Sequence, residues 1–132
     1  MRSRAGAFTI LIVEDHALIA LEIEDCVRRN GGQVLGPAGQ ISDALGLIET
    51  AGCDAALLDI RLAHGETVYA VAEQLQGKAV PFAFITAWDG EIDPRFAHAP
   101  VLRKPFGEAE LEGCLQVLIG SIPRPAGKQE AA

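Results

Sequence analysis

Apolar residues in this chain fall into two alternating patterns. Phe8–Val13, Gln33–Leu35, Ala55–Ile60, Phe82–Ile85 and Val101–Leu102 carry short runs, mostly unbroken by charge. Such runs, bounded by polar residues, read as strands buried in a parallel sheet. Between them the apolar positions recur at helical spacing. Ala17–Asn30 carries Ile19, Ile23, Cys26 and Val27 on one stripe; Val68–Leu75 carries Val68, Val71, Ala72 and Leu75; Glu108–Ile119 carries Leu111, Leu115 and Leu118. A further helix carries Ala44, Leu45 and Ile48, with Ser42 as its expected N-cap and Gly46 weakening it. Asn30–Gly31–Gly32 is placed to stop the first helix, and Gly36–Pro37 to end the second strand.

Strands alternating with helices predict an α/β fold, a parallel sheet with helices on both faces and right-handed crossovers. One unit breaks the rhythm. The link from Trp88 to Pro100 holds Gly90, Pro94 and Pro100, and each proline disfavours helix at the residue before it. A short, irregular or mobile fourth helix is therefore expected. Residues 8–119 are expected to form one domain, between a loose N-terminal tail (1–7) and a flexible C-terminal tail (120–132) rich in Pro, Gly and Ala.

The 132 residues suit one substantial core, and 49% hydrophobic with 22% charged residues is a globular composition. A net charge of −7 leaves no basic stripe for nucleic acid. Phe8–Val13 is too short for a signal sequence or a membrane span and runs into Glu14–Asp15, so a cytoplasmic protein with no membrane contact is expected. Cys26, Cys53 and Cys114 are odd in number and not at zinc spacing; they read as small buried side chains in a reducing compartment.

The chemistry gathers at the strand ends. The first strand ends in Glu14–Asp15, the third in Asp59, the fourth in Thr86 and the fifth at Lys104, and in a doubly wound sheet these ends share one edge. Each has an ordinary reading alone: a helix first turn for the acidic pair, a cap for the aspartate, a turn for Lys104–Pro105. Together they form a constellation of carboxylates, a hydroxyl and an ammonium. Clustered carboxylates repel one another unless a hard cation such as Mg2+ joins them. Asp59 is then the candidate nucleophile for a phosphoryl group, with Lys104 holding its carboxylate and Thr86 hydrogen-bonding a phosphoryl oxygen.

Ile10–Leu11–Ile12–Val13–Glu14–Asp15, Leu57–Leu58–Asp59, Ile85–Thr86–Ala87 and Lys104–Pro105–Phe106 resemble a bacterial response-regulator receiver domain, of the kind found in chemotaxis regulators. The resemblance runs from about Phe8 to Ile119. It implies a flavodoxin-like five-stranded sheet in order 2-1-3-4-5, with Asp59 as the phosphorylation site. It also implies a magnesium site with Asp15 and Asp59 as direct ligands, Glu14 acting through water, and the main-chain carbonyl of Arg61 completing it. The common aromatic switch position is here Val101, whereas Trp88 follows Thr86 by two residues. Phe84–Trp88, Pro100–Phe106 and Gly65–Tyr69 are similar to the FAT GUY variety, often single-domain regulators. In that variety a swing of Trp88, or ordering of the segment up to Pro100, is the expected readout.

By this resemblance the partners are a histidine kinase or hybrid kinase and a downstream protein, and the chain is expected to be a monomer or weak dimer. Arg61 and Trp88 would flank the attacking water and slow hydrolysis of the acyl phosphate. His16, His64 and His98 are scattered and read as surface or helix-end residues. An aspartyl hydrolase of the haloacid-dehalogenase type would need an acid where Arg61 stands. A flavin- or nucleotide-binding sheet would need a Gly- or Ser/Thr-rich loop where Glu14–Asp15 stands. The alternative is a receiver-like module that binds a partner without phosphorylation.

Overall fold

The computed structural model describes residues 7–62, 65–87 and 89–123. The tail calls on residues 1–6 and 124–132, and those on His64 and Trp88, lie outside the described residues. In chain order the elements are β1 (Thr9–Val13), α1 (Ala17–Arg29), β2 (Gln33–Ala38), α2 (Ile41–Thr50), β3 (Ala55–Asp59), α3 (Tyr69–Gly77), β4 (Phe82–Thr86), β5 (Val101–Arg103) and α4 (Glu108–Gly120). All neighbouring strands pair parallel, in the order β2-β1-β3-β4-β5. This is the flavodoxin-like topology.

The two-residue period of each strand divides the core. Leu11, Val13, Ala56, Leu58, Phe82 and Phe84 face one side, where α2 and α3 cover them with Ala44, Ile48, Val71, Ala72 and Leu75. Ile10, Ile12, Ala55, Leu57, Ala83 and Ile85 face the other, where α1 and α4 supply Ile23, Cys26, Val27, Leu111, Leu115 and Leu118. Both faces are sealed, so the central strands carry no polar face. Only the strand ends are left for chemistry.

The fourth crossover holds a single 3-10 turn, Pro94–Phe96, in place of a helix. Asp93 caps it, its carboxylate accepting from the Arg95 N–H at 2.9 Å. The prolines have the effect the sequence predicts.

Two local expectations need correction. The N-cap of α2 is Gln40, extended at φ −136°, and not Ser42, which lies inside the first turn. The chain enters that helix through the Ala44 N–H to Gln40 carbonyl bond, which fixes the boundary two residues earlier. Second, Gly36–Pro37 does not end β2. The strand runs on to Ala38 through a register shift opposite Leu11 to Val13. Gly36 takes φ +96° there, and β2 is an edge strand, where a proline without an N–H is tolerated. The stop after α1 is as expected: Asn30 lies at φ −95° and Gly31, at φ +89°, takes the left-handed position.

Two glycines test this reading in opposite directions. A Cβ at Gly36 would meet the Ile12 carbonyl and the Ala38 nitrogen at 2.9 Å, at a φ that other residues avoid. Gly36→Ala is expected to cost about 1–3 kcal/mol or more in urea unfolding. Gly46 sits on the exposed side of α2 with open space around it, so Gly46→Ala is expected to gain about 0.5–1 kcal/mol. A neutral Gly36→Ala would remove the argument for the bulge.

Candidate functional site

Sheet register assembles the site. Val13 pairs with Leu58, so one step on Glu14 comes level with Asp59. Asp59 pairs with Ile85, and Thr86 with Arg103, which places Thr86 and Lys104 beside them. The Lys104 N–H donates to the Thr86 carbonyl at 2.8 Å and carries the β5 ladder one residue past its end. Four strands thus deliver their last side chains to one edge.

Lys104 is the hub. Its Nζ donates to Asp59 Oδ2 at 3.0 Å and lies 2.9 Å from Glu14 Oε1. Glu14, Asp59 and Thr86 are the buried polar side chains of the described core, and Asp15 is exposed at its rim. The second Glu14 oxygen, Oε2, accepts from the His16 N–H at 3.1 Å. That turns the acidic pair into the entry of α1.

The electrostatics follow from burial. Desolvation pushes the Asp59 carboxyl up to about 6, and the Glu14 charge adds to this against the pull of Lys104. Burial works against the charge of Lys104, yet the Glu14 and Asp59 carboxylates beside it hold its pKa above the ordinary lysine value. One ammonium therefore does not satisfy two buried carboxylates. Glu14 Oε1 has no hydrogen bond of proper alignment among the described residues, despite its closeness to Lys104. Glu14, Asp15 and Asp59 each offer an oxygen, and these lie within 4.8 Å of one another. Three hard oxygen donors this close, two of them on buried carboxylates, fit a divalent cation.

The structure brings together Glu14, Asp15, Asp59, Thr86 and Lys104. Arg61, two residues past Asp59, is exposed and forms an antiparallel bridge with Thr67. His16 and His98 are exposed, as expected. Of the cysteines only Cys26 is fully buried; Cys53 and Cys114 are half-buried. Burial pushes the thiols of Cys26 and Cys53 up to about 11 and raises that of Cys114, which makes all three poor nucleophiles. Sequence reasoning missed two features: the pairing of Lys104 with Glu14 as well as Asp59, and Tyr69. The Tyr69 hydroxyl accepts from the Asp93 N–H at 3.2 Å, across the crossover. Its only signal in sequence was the stretch Gly65–Tyr69.

Comparison with known proteins gives a consistent set. No family model matches the chain. The phyllosphere-induced regulator PhyR of Methylorubrum extorquens is 34% identical over 113 residues, covering 83% of this chain and 42% of PhyR. SdrG of Sphingomonas melonis Fr1 superposes with a TM-score of 0.77 at 38% identity, covering 88% of this chain and 99% of that one. The non-phosphorylated HemR receiver domain of Leptospira biflexa superposes at 0.75 with 30% identity, covering 89% and 97%. The chain spans about half the length of the curated relatives it matches.

The raised Asp59 pKa has a consequence for stability with a definite sign. The folded protein holds this proton to higher pH than the unfolded chain, so ionisation of Asp59 opposes folding. The cost is absent below the ordinary value of 3.8, grows as pH rises towards about 6, and is fully present above that. Asp59→Asn is therefore expected to raise the Tm of the metal-free protein near neutral pH, on the order of 5 °C. The gain should disappear below about pH 4, where the wild-type carboxyl is protonated in both states. Thermal scans across this range check it; a variant less stable than wild type at neutral pH would contradict it.

Proposed function

This chain belongs to the receiver-domain family of response regulators, and from that premise we propose that Asp59 accepts a phosphoryl group from a phosphohistidine of a histidine kinase or hybrid kinase. The observation that carries this reading is the single ammonium of Lys104 held 3.0 Å from Asp59 and 2.9 Å from Glu14 at the carboxyl edge of the sheet. In the proposed step an Asp59 carboxylate oxygen attacks phosphorus. An O–P bond forms while the P–N bond of the donor breaks, and the imidazole leaves with the electron pair and takes up a proton.

Asp15, Asp59 and the Arg61 carbonyl would hold Mg2+, with Glu14 acting through water. The bound ion would supply positive charge to the phosphoryl oxygens. Lys104 keeps the Asp59 carboxylate oriented before transfer and meets the added negative charge after it. Thr86, last in β4 and buried, would donate its hydroxyl to a phosphoryl oxygen. Return to the ground state is hydrolysis: water adds to phosphorus, the acyl O–P bond breaks, and orthophosphate leaves. Arg61 stands exposed two residues past Asp59, where its side chain would shield the incoming water.

The output we propose is phosphorylation-dependent protein binding, or phosphate buffering between kinases, by a monomer or weak dimer. The crossover, β5 and α4 form the responsive face, and Val101 and Val117 are exposed on it. Beside α4 on the same sheet face, α1 exposes Leu18 and Leu21, an apolar surface suited to a kinase helix. No described helix is long and apolar enough to cross a membrane.

Incubation with Mg2+ and a small phosphodonor, read by intact mass, is expected to add one phosphoryl group, and none in Asp59→Asn. No adduct, under conditions that label another receiver, would favour a module that binds without phosphorylation. Once labelled, Arg61→Asn is expected to lose the group at least several-fold faster than wild type; unchanged decay would exclude shielding by Arg61. Leu21→Asp should slow transfer from a phosphorylated kinase and leave labelling by the small donor unchanged. Equal loss in both assays would place Leu21 in the fold and not in docking.

A further inference from the structure

The crossover between β4 and β5 has little regular structure to hold it. Among the described residues 89–99 the only helical element is the Pro94–Phe96 turn. Its attachments run to α3 and β4. Arg95 pairs with Glu73 at 3.0 Å, an exposed contact of small worth. Phe96 is buried, stacks on Tyr69 at 5.6 Å and meets Phe82 at 5.8 Å and Phe84 at 6.2 Å. The Tyr69 hydroxyl adds a bond to the main chain, accepting from the Asp93 N–H. Packing alone would be served by phenylalanine; the hydroxyl is spent on the crossover.

Two lines from the Asp59 site converge on Tyr69. The first is main chain. Val68 N–H donates to the Ile60 carbonyl at 2.9 Å, Leu62 N–H to the Glu66 carbonyl at 2.9 Å, and Arg61 bridges Thr67. The residues that follow Asp59 and those that precede Tyr69 are thus two arms of one hairpin. The second is side chain. Phe84 lies two residues before Thr86 on β4, on the same side, and its ring meets the Tyr69 ring edge-on at 6.1 Å. Val101, by contrast, is 37% exposed at the sheet edge and offers no ring to carry a signal.

We propose that the Tyr69 hydroxyl is the positioning group that couples the Asp59 site to residues 89–99. It keeps the crossover docked while Asp59 is unmodified and releases it when Asp59 carries its phosphoryl group. This rests on the phosphoacceptor reading of Asp59. Loading the site fixes the hairpin and the end of β4, and both bear on Tyr69. The element that yields is the half-buried hydroxyl bond and not the buried rings. Two sites that bias one docking equilibrium are coupled reciprocally. Weakening the docked state in advance must therefore tighten binding at the site.

Beryllofluoride with Mg2+, a mimic of the phosphoryl group, gives the test. In Tyr69→Phe the rings remain and only the hydroxyl bond is lost. Beryllofluoride is expected to bind the variant about two- to tenfold tighter than wild type, the range of one neutral hydrogen bond. In wild type, the Asp93 amide is expected to exchange faster once beryllofluoride is bound. A tyrosine that merely filled the core would lower Tm without tightening binding. Affinity equal to or weaker than wild type overturns the coupling, as does an Asp93 amide that beryllofluoride leaves equally protected. If wild type shows no resonance shifts at Asp59 and Thr86 with beryllofluoride, the phosphoacceptor reading fails and takes this inference with it. Shifts there, with unchanged affinity in Tyr69→Phe, overturn the coupling alone.

Discussion

One lysine between two buried carboxylates sets the terms for the rest of the molecule. Lys104 reaches Glu14 and Asp59 from the end of the fifth strand, and its main chain is tied to Thr86. Removing the lysine from such a cluster would leave two carboxylates uncompensated in a poorly hydrated place. Yet the cluster is not neutral: the ammonium faces Glu14 and Asp59, with Asp15 at the rim. Burial first, and the neighbouring Glu14 charge second, show in the raised pKa of Asp59. The fold holds these groups because sheet pairing leaves them nowhere else to go. The site is thus unsatisfied by construction, which is the condition for taking up a cation and then an anion.

The division of the core explains how the site is kept rigid. Each central strand sends alternate residues to opposite faces, and each face is closed by a helix pair. A shift of one residue in any strand would exchange the two faces, so register is strongly specified. Since register also places Glu14 beside Asp59 and Thr86 beside Lys104, the hydrophobic pattern positions the polar groups. Packing and chemistry are here one constraint.

How much of this was legible in the sequence differs by element. The strands, the helices and the site edge could be read because unbroken apolar runs and helical stripes are strong signals, and because Asp59, Thr86 and Lys104 each follow such a run. The irregular crossover was legible from Pro94 and Pro100. The start of the second helix was not, because Ser42 outranks Gln40 as a cap by propensity while the tertiary chain path decided otherwise. Nor was the length of the second strand, since Gly36–Pro37 signals a turn and gives no sign of a bulge at a sheet edge. The Tyr69 hydroxyl bond could not be read because its partner, the Asp93 amide, is a main-chain group distant in sequence and silent in any side-chain pattern.

The two margins of the sheet carry a consequence of their own. On one side the outer strand is interrupted by Gly36 and by Pro37, which has no N–H to offer. On the other the outer strand is Val101–Arg103, with a proline at residue 100 before it and another at 105 soon after it. Neither margin presents a long, flat row of unpaired amides and carbonyls onto which a foreign strand could be added. Addition of a foreign strand is therefore disfavoured at both margins of the sheet.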